Sequence, residues 1–146
     1  MIPEPSPKDC TDLMIVYLGL GANLGNREET INKAIELLSE QVGPLIKRSS
    51  FFYSKPWGFD SPNDFCNICA SFETTLSPLD LLHTTQSIEC QLGRTKKSHD
   101  DIYSDRYIDI DILIYGDIQI STEELTIPHP KMQKRPFVMV PLQEIS

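Results

Sequence analysis

Residues 106–115 read RYIDIDILIY, and the alternation is strict: Ile108, Ile110, Ile112 and Ile114 fall on one side of an extended chain, Asp109, Asp111 and Leu113 on the other. Period two with β-branched residues specifies a strand, and the flanking isoleucines predict one central to a sheet rather than a solvated edge. Two carboxylates at i and i+2 then share a face, where they repel each other and cannot both be buried unpaired. A hard divalent cation resolves that conflict, and Mg²⁺ is held by one or two carboxylates together with substrate phosphates. The bland alternative is an exposed face whose aspartates keep the chain soluble. D-x-D alone does not separate the two.

The rest of the chain supplies partners for this strand. Residues 14–20 (MIVYLGL) form a short apolar run ending in glycines, a buried strand. Asn26 is an N-cap with Glu29 at the capping-box position; Ile31, Ala34, Ile35, Leu38 and Val42 follow at helical spacing until Gly43-Pro44. Residues 45–53 read as a second strand, 55–64 as a turn-rich loop, and 65–75 as a third strand. Ser77-Pro78 opens a second helix striped by Leu81, Leu82, Ile88 and Leu92 and closed by Gly93. After the strand at 106–115, Gly116-Asp117 predicts a hairpin turn into a short strand at 118–120. The order is βαββαβ. It predicts an α+β, ferredoxin-like antiparallel sheet with helices packed on one face, plus an appended β-hairpin and a C-terminal segment. Residues 1–13 read as a flexible N-terminal arm and 14–146 as a single domain, a size that buries one core.

Composition narrows the function. A formal net charge of −8 lacks the basic footprint of a nucleic-acid binder. No apolar run reaches the ~20 residues of a membrane span, and the first residues have no signal-peptide pattern; a cytoplasmic address is expected. Cys66 and Cys69 form a C-x-x-C, but i and i+3 on a strand point to opposite faces, so they are expected to be buried small hydrophobes rather than a zinc or redox pair. Basic residues gather near the carboxylates: Arg94, Lys96, Lys97 and Arg106, a set suited to a triphosphate, though also compatible with a solvated charge run. The turn LGLGANLGN has Leu24 where a dinucleotide fingerprint needs glycine, and nothing matches a P-loop. Its glycines are expected to serve strand-to-helix geometry and close packing near the site. His129 sits between two prolines in a rigid segment, and Trp57 lies in the 55–64 loop, a stacking or lid residue.

Taken together, RYIDIDILIYG, TIPHPKMQKRPFVMVPL, GLGANLGN, FCN and QSIECQLGR resemble the 6-hydroxymethyl-7,8-dihydropterin pyrophosphokinases of folate biosynthesis, over nearly all the chain outside the arm. The resemblance implies transfer of the β,γ-pyrophosphoryl group of ATP to the pterin hydroxymethyl oxygen, with release of AMP. It implies two Mg²⁺ ions on Asp109 and Asp111, with Arg94, Lys97 and Arg106 joining them as catalytic residues. It further implies a pterin site of Ser54, Lys55, Trp57, Phe65, Asn67 and Phe137. The ATP site it implies comprises Gln86, Glu89, Arg94, Lys97, Arg106, Ile112, Thr126, His129 and Arg135. The expected partners are ATP and the pterin, without nucleic acid or membrane, in a monomer or in one domain of a fused folate enzyme. Two rivals share the fold: a nucleotidyltransferase or cyclase using the same aspartates, and a non-catalytic ligand-binding domain.

Overall fold

The sheet is built around Met14–Ala22 (β1), in a computed structural model that describes residues 13–23, 25–54, 64–92, 108–123, 125–130 and 132–145. Val16, Leu18, Leu20 and Ala22 point to one side of β1 and are almost wholly buried, the period-two pattern expected of a strand with one face in the core. Phe65–Thr74 (β4) pairs antiparallel along one edge of β1 and Asp109–Tyr115 (β5) along the other. Leu45–Arg48 (β2) and Phe52–Ser54 (β3) both pair with β4, giving the order β2-β4-β1-β5 with β3 beside β4. The segment at 45–53 is therefore two strands rather than one. Ser49 explains the break: its hydroxyl accepts the Cys69 N–H at 2.9 Å, and the Ser50 N–H and hydroxyl donate to the Glu144 carboxylate at 2.8 and 3.1 Å.

Arg27–Gln41 (α1) and Pro78–Gln91 (α2) cover the core face. Both start as the sequence predicts. The Asn26 side chain accepts from the Glu29 N–H at 3.1 Å, and Ser77 accepts from the Asp80 N–H at 3.2 Å, with Pro78 at the first helical position; each such cap contributes about 1 kcal/mol. The C-terminal segment is a third helix, Pro136–Ile145 (α3), on the opposite face. Val138, Leu142 and Ile145 pack there against Cys69 and Leu113. Helices thus lie on both faces, not one. Pro141 obscures this in the sequence, since a proline inside a helix withdraws one i→i−4 donor.

Two expectations about β5 are corrected. It is the end strand of the sheet among the described residues, not a central one; its isoleucines are buried by α2 and the core, which hides the edge from a reading of hydrophobicity alone. Ile114 does not share a face with Ile108, Ile110 and Ile112. The ladder shifts by one residue at Leu113, a β-bulge, so Tyr115 joins the main core while Leu113 and Ile114 face α3. Beyond the turn at Gly116 (φ 53°), the expected strand at 118–120 is Ile120–Ser121 (β6), which pairs with Thr126–Ile127 (β7) in a separate two-stranded sheet. No described helix is long and apolar enough to cross a membrane.

One glycine is dictated by close approach. Gly43 has φ 154°, and a Cβ there would fall onto the Glu73 carbonyl oxygen, whose strand is held by the Glu73 N–H donating to Pro44 O at 3.0 Å. Gly43→Ala is expected to cost about 2–4 kcal/mol, read as a lowered midpoint in urea denaturation with an unchanged slope.

Candidate active site

Two ladder rows cross the sheet on the face away from α1 and α2. One row is Asn67, Gly21, Asp109; the next is Cys69, Gly19, Asp111. The middle strand contributes only hydrogen to both rows, so bare backbone separates the β4 side chains from the two carboxylates. The close packing expected of these glycines is present at Gly21, while their placement is corrected. Gly19 and Gly21 lie inside β1 rather than in the turn, and only Gly25, at φ 65°, shapes the entry to α1.

The Gly21 end of the floor is the more tightly fitted. The Asn67 Nδ2 donates to Ser54 Oγ at 2.9 Å and to Phe52 O at 3.2 Å. The carbonyl of Phe52 can only accept, which fixes the amide orientation and leaves Oδ1 over the glycine. A Cβ on Gly21 would sit 2.9 Å from that oxygen and 3.8 Å from Phe65 Cδ1. Ser54, Phe65 and Asn67 are thereby gathered at one end of the row.

At the other end, the register puts both aspartates on one face, and both are half-buried. Arg135, buried just before α3, places Nη1 3.9 Å from Asp111 Oδ2 and its guanidinium carbon 5.6 Å from the Phe137 ring centroid. The structure therefore brings Asp111, Arg135 and Phe137 together, three residues that the sequence assigned to metal, nucleotide and pterin respectively.

The remaining candidates follow the outer edge of β5. Glu89, only 2% exposed, accepts the Ile110 N–H at 2.7 Å and so caps the strand between its two aspartates. Gln86, three residues earlier on α2, shares that helix face. The Ile112 side chain is in the core, 4% exposed. What Ile112 offers outward is backbone, since its N–H and C=O follow those of Ile110. Strand β7, which carries Thr126, lies against β5, and the His129 N–H donates to Leu113 O at 3.0 Å. Lys55, Trp57, Arg94, Lys96, Lys97 and Arg106 lie outside the described residues.

Among the described residues no three His, Cys, Asp or Glu side chains cluster for a metal. The carboxylates that could hold a cation are the Asp109/Asp111 pair, on the face that carries the glycine rows. That suits a cation completing its shell with water and phosphate oxygens, the pattern of Mg²⁺ rather than of a structural zinc. Cys66 and Cys69 cannot substitute for it. They point into different clusters on opposite faces, and desolvation pushes their thiols up to about 11 and about 12. Sequence reasoning expected close packing from these glycines but did not place Gly21 between Asn67 and Asp109; alternate glycines at 19 and 21 next to a strand run were the available signal.

At pH 8 both buried thiols stay protonated, so a disulfide reagent followed by peptide mapping should leave Cys66 and Cys69 unlabelled until the chain unfolds. The glycines make a sharper contrast. Gly21→Ala is expected to displace the Asn67 amide and weaken ligand binding at that end at least about tenfold. Gly19→Ala, whose Cβ would meet Leu113 Cδ1 at 3.4 Å, should bind within about threefold of the parent. Calorimetric titration of both variants checks this.

Comparison with known proteins agrees with the geometry. Residues 17–146 match the model of the 7,8-dihydro-6-hydroxymethylpterin-pyrophosphokinase (HPPK) family. A 2-amino-4-hydroxy-6-hydroxymethyldihydropteridine pyrophosphokinase of Porphyromonas gingivalis is 45% identical over 135 residues, 92% of this chain and 92% of its own. Its Bacillus subtilis namesake is 39% identical over 132 residues, 90% of this chain and 77% of its own. Among solved structures, an HPPK-DHPS in complex with substrates superposes with a TM-score of 0.72 at 15% identity, covering 90% of this chain and 39% of that one. Wild-type Plasmodium falciparum HPPK-DHPS gives 0.70 at 15% identity, over 91% of this chain and 41% of its own. The structural matches speak for the fold, and this chain spans about two fifths of each. The sequence matches, over nearly the full length, carry the assignment: the chain belongs to the 7,8-dihydro-6-hydroxymethylpterin-pyrophosphokinase family.

Proposed function

We propose that the chain transfers the β,γ-pyrophosphoryl group of ATP to the hydroxymethyl oxygen of 6-hydroxymethyl-7,8-dihydropterin, giving AMP and the pterin pyrophosphate in folate biosynthesis. Family membership supports the reaction. The observation that carries the site assignment is the row Asn67, Gly21, Asp109. Adjacent strands are ~4.8 Å apart, so the backbones that carry the Asn67 amide and the Asp109 carboxylate stand ~10 Å apart across a strand without a side chain. That is about the span of a bicyclic heterocycle with a one-carbon arm.

In this reading Asn67 hydrogen-bonds the edge of the pterin, and Phe65, Phe137, Ser54, Lys55 and Trp57 enclose it. The arm then points to Asp109 and Asp111, which hold two Mg²⁺ ions. Bound there, the metal would neutralise phosphate charge and align the transferred group. Gln86, Glu89, Ile112, Thr126 and His129 line the nucleotide side along the β5 edge, and Arg94, Lys97, Arg106 and Arg135 supply positive charge for the triphosphate. Phosphoryl-type transfer asks mainly for positioning and charge stabilisation. The rigid floor and the fixed Asn67 amide are suited to that demand. We read residues 14–146 as one domain with a ferredoxin-like split βαβ topology. An HPPK-DHPS chain carries such a domain beside another, so a fused arrangement is compatible with this reading.

Protein mixed with ATP, Mg²⁺ and the hydroxymethylpterin should form AMP stoichiometrically with pterin consumed. Release of ADP, or of free pyrophosphate as a nucleotidyltransferase or cyclase would give, overturns the proposal. Asp109→Ala and Asp111→Ala should each lower kcat/KM about a thousandfold or more while leaving the thermal midpoint near that of the parent. A chelator should abolish turnover and added Mg²⁺ restore it. Unchanged function in Asp109→Ala would favour a non-catalytic binding domain.

A further inference from the structure

The pterin end of the site rests on β3, a strand of three residues that pairs, among the described residues, with β4 alone. Such a strand is too short to fix itself. Its outward-facing residue, Tyr53, points away from the floor, and α1 holds it from behind. The Tyr53 hydroxyl donates to Glu28 Oε2 at 2.6 Å. The Arg27 guanidinium carbon lies 5.4 Å from the Tyr53 ring centroid, and Arg27 Nη1 donates to the Asp64 carbonyl at 2.8 Å. The hydrogen bond is a charge-assisted one. It holds the Glu28 carboxyl below its ordinary range and pushes the Tyr53 phenol up to about 12.

These contacts meet the two strands at one place. Tyr53 pairs with Cys66, and the next pair is Ser54 with Phe65. Asp64 immediately precedes Phe65. The first turn of α1 therefore ties down the end of β3 and the start of β4 on one face of the sheet. The opposite face of the same residues carries Ser54, Phe65 and Asn67, with Ser54 Oγ accepting from the Asn67 amide at 2.9 Å. A shift of the Tyr53 backbone would carry Ser54 with it and release the amide from one of its two acceptors.

We propose that Arg27, Glu28 and Tyr53 form a positioning clamp that sets the Ser54–Asn67 hydrogen bond and hence the affinity for the pterin, without touching substrate. This rests on the assignment of Ser54, Phe65 and Asn67 to the pterin site. The clamp acts on one substrate, because the nucleotide candidates Glu89 on α2 and Ile112 on β5 lie on the other side of β1 from β3.

The test compares Tyr53→Phe, Glu28→Ala and Glu28→Gln in the intact protein. KM is measured for each substrate, and pterin Kd is titrated in the presence of an ATP analogue with a methylene bridge between the α and β phosphorus. Tyr53→Phe and Glu28→Ala should each raise the pterin KM and Kd roughly fivefold, leaving the ATP KM and kcat unchanged, and their double variant should be no worse than either alone. Glu28→Gln, which keeps an acceptor, should restore affinity to near the parent value. Pterin affinity unchanged in Tyr53→Phe, or equal losses for pterin and ATP, would overturn the clamp while leaving the reaction intact. A parent protein that forms no pterin-dependent AMP would overturn the functional reading itself, and the clamp with it.

Discussion

The register of β1 between β4 and β5 is the constraint on which the site depends. It sets Asn67 and Asp109 opposite the same glycine, and Cys69 and Asp111 opposite the next. A slip of one residue would turn every β1 side chain over. Val16, Leu18 and Leu20 would then stand where the floor must be bare, and the glycines would leave voids under the helices. The core therefore enforces the register strongly, and the site inherits its flatness from a hydrophobic decision made on the other face.

The two faces divide their tasks accordingly. The core face under α1 and α2 is apolar and closely packed. The other is shared, with α3 burying Cys69 and Leu113 while the Asn67 row lies next to that of Cys69. The bulge at Leu113 marks the boundary. On one side of it, β5 directs carboxylates to the floor; on the other, the same face carries apolar residues for α3. Glu144 fastens the far end of α3 to Ser50, while Arg135, just before the helix, and Phe137, in its first turn, sit at the near end.

Much of this was legible in the residues themselves. Caps at Asn26 and Ser77 follow from short-range hydrogen bonding, and the carboxylate pair follows from period two. What failed depended on tertiary partners. Ile114 changes face because an extra residue enters the ladder opposite Leu18, which no local pattern announces. The strand at 45–53 breaks because a carboxylate from residue 144 takes the Ser50 N–H. Strand β5 reads as central because burial by a helix and burial by a neighbouring strand leave the same isoleucines. The gathering of Asp111, Arg135 and Phe137 likewise needed the fold, since nothing in a sequence measures the distance across a sheet.

Glu89 has a consequence of another kind. Strand β5 ends the sheet among the described residues, and an unsatisfied strand edge is a template for pairing with other chains. The buried Glu89 side chain on the Ile110 N–H closes that template at its middle and fills the place where an incoming strand would put an acceptor of its own. The side chain that accepts from the strand between the two aspartates thus also occupies an edge position that a second strand would need. Changes at position 89 would then surface as aggregation in the cell as well as altered turnover, and yield of soluble protein becomes part of any account of what this residue does.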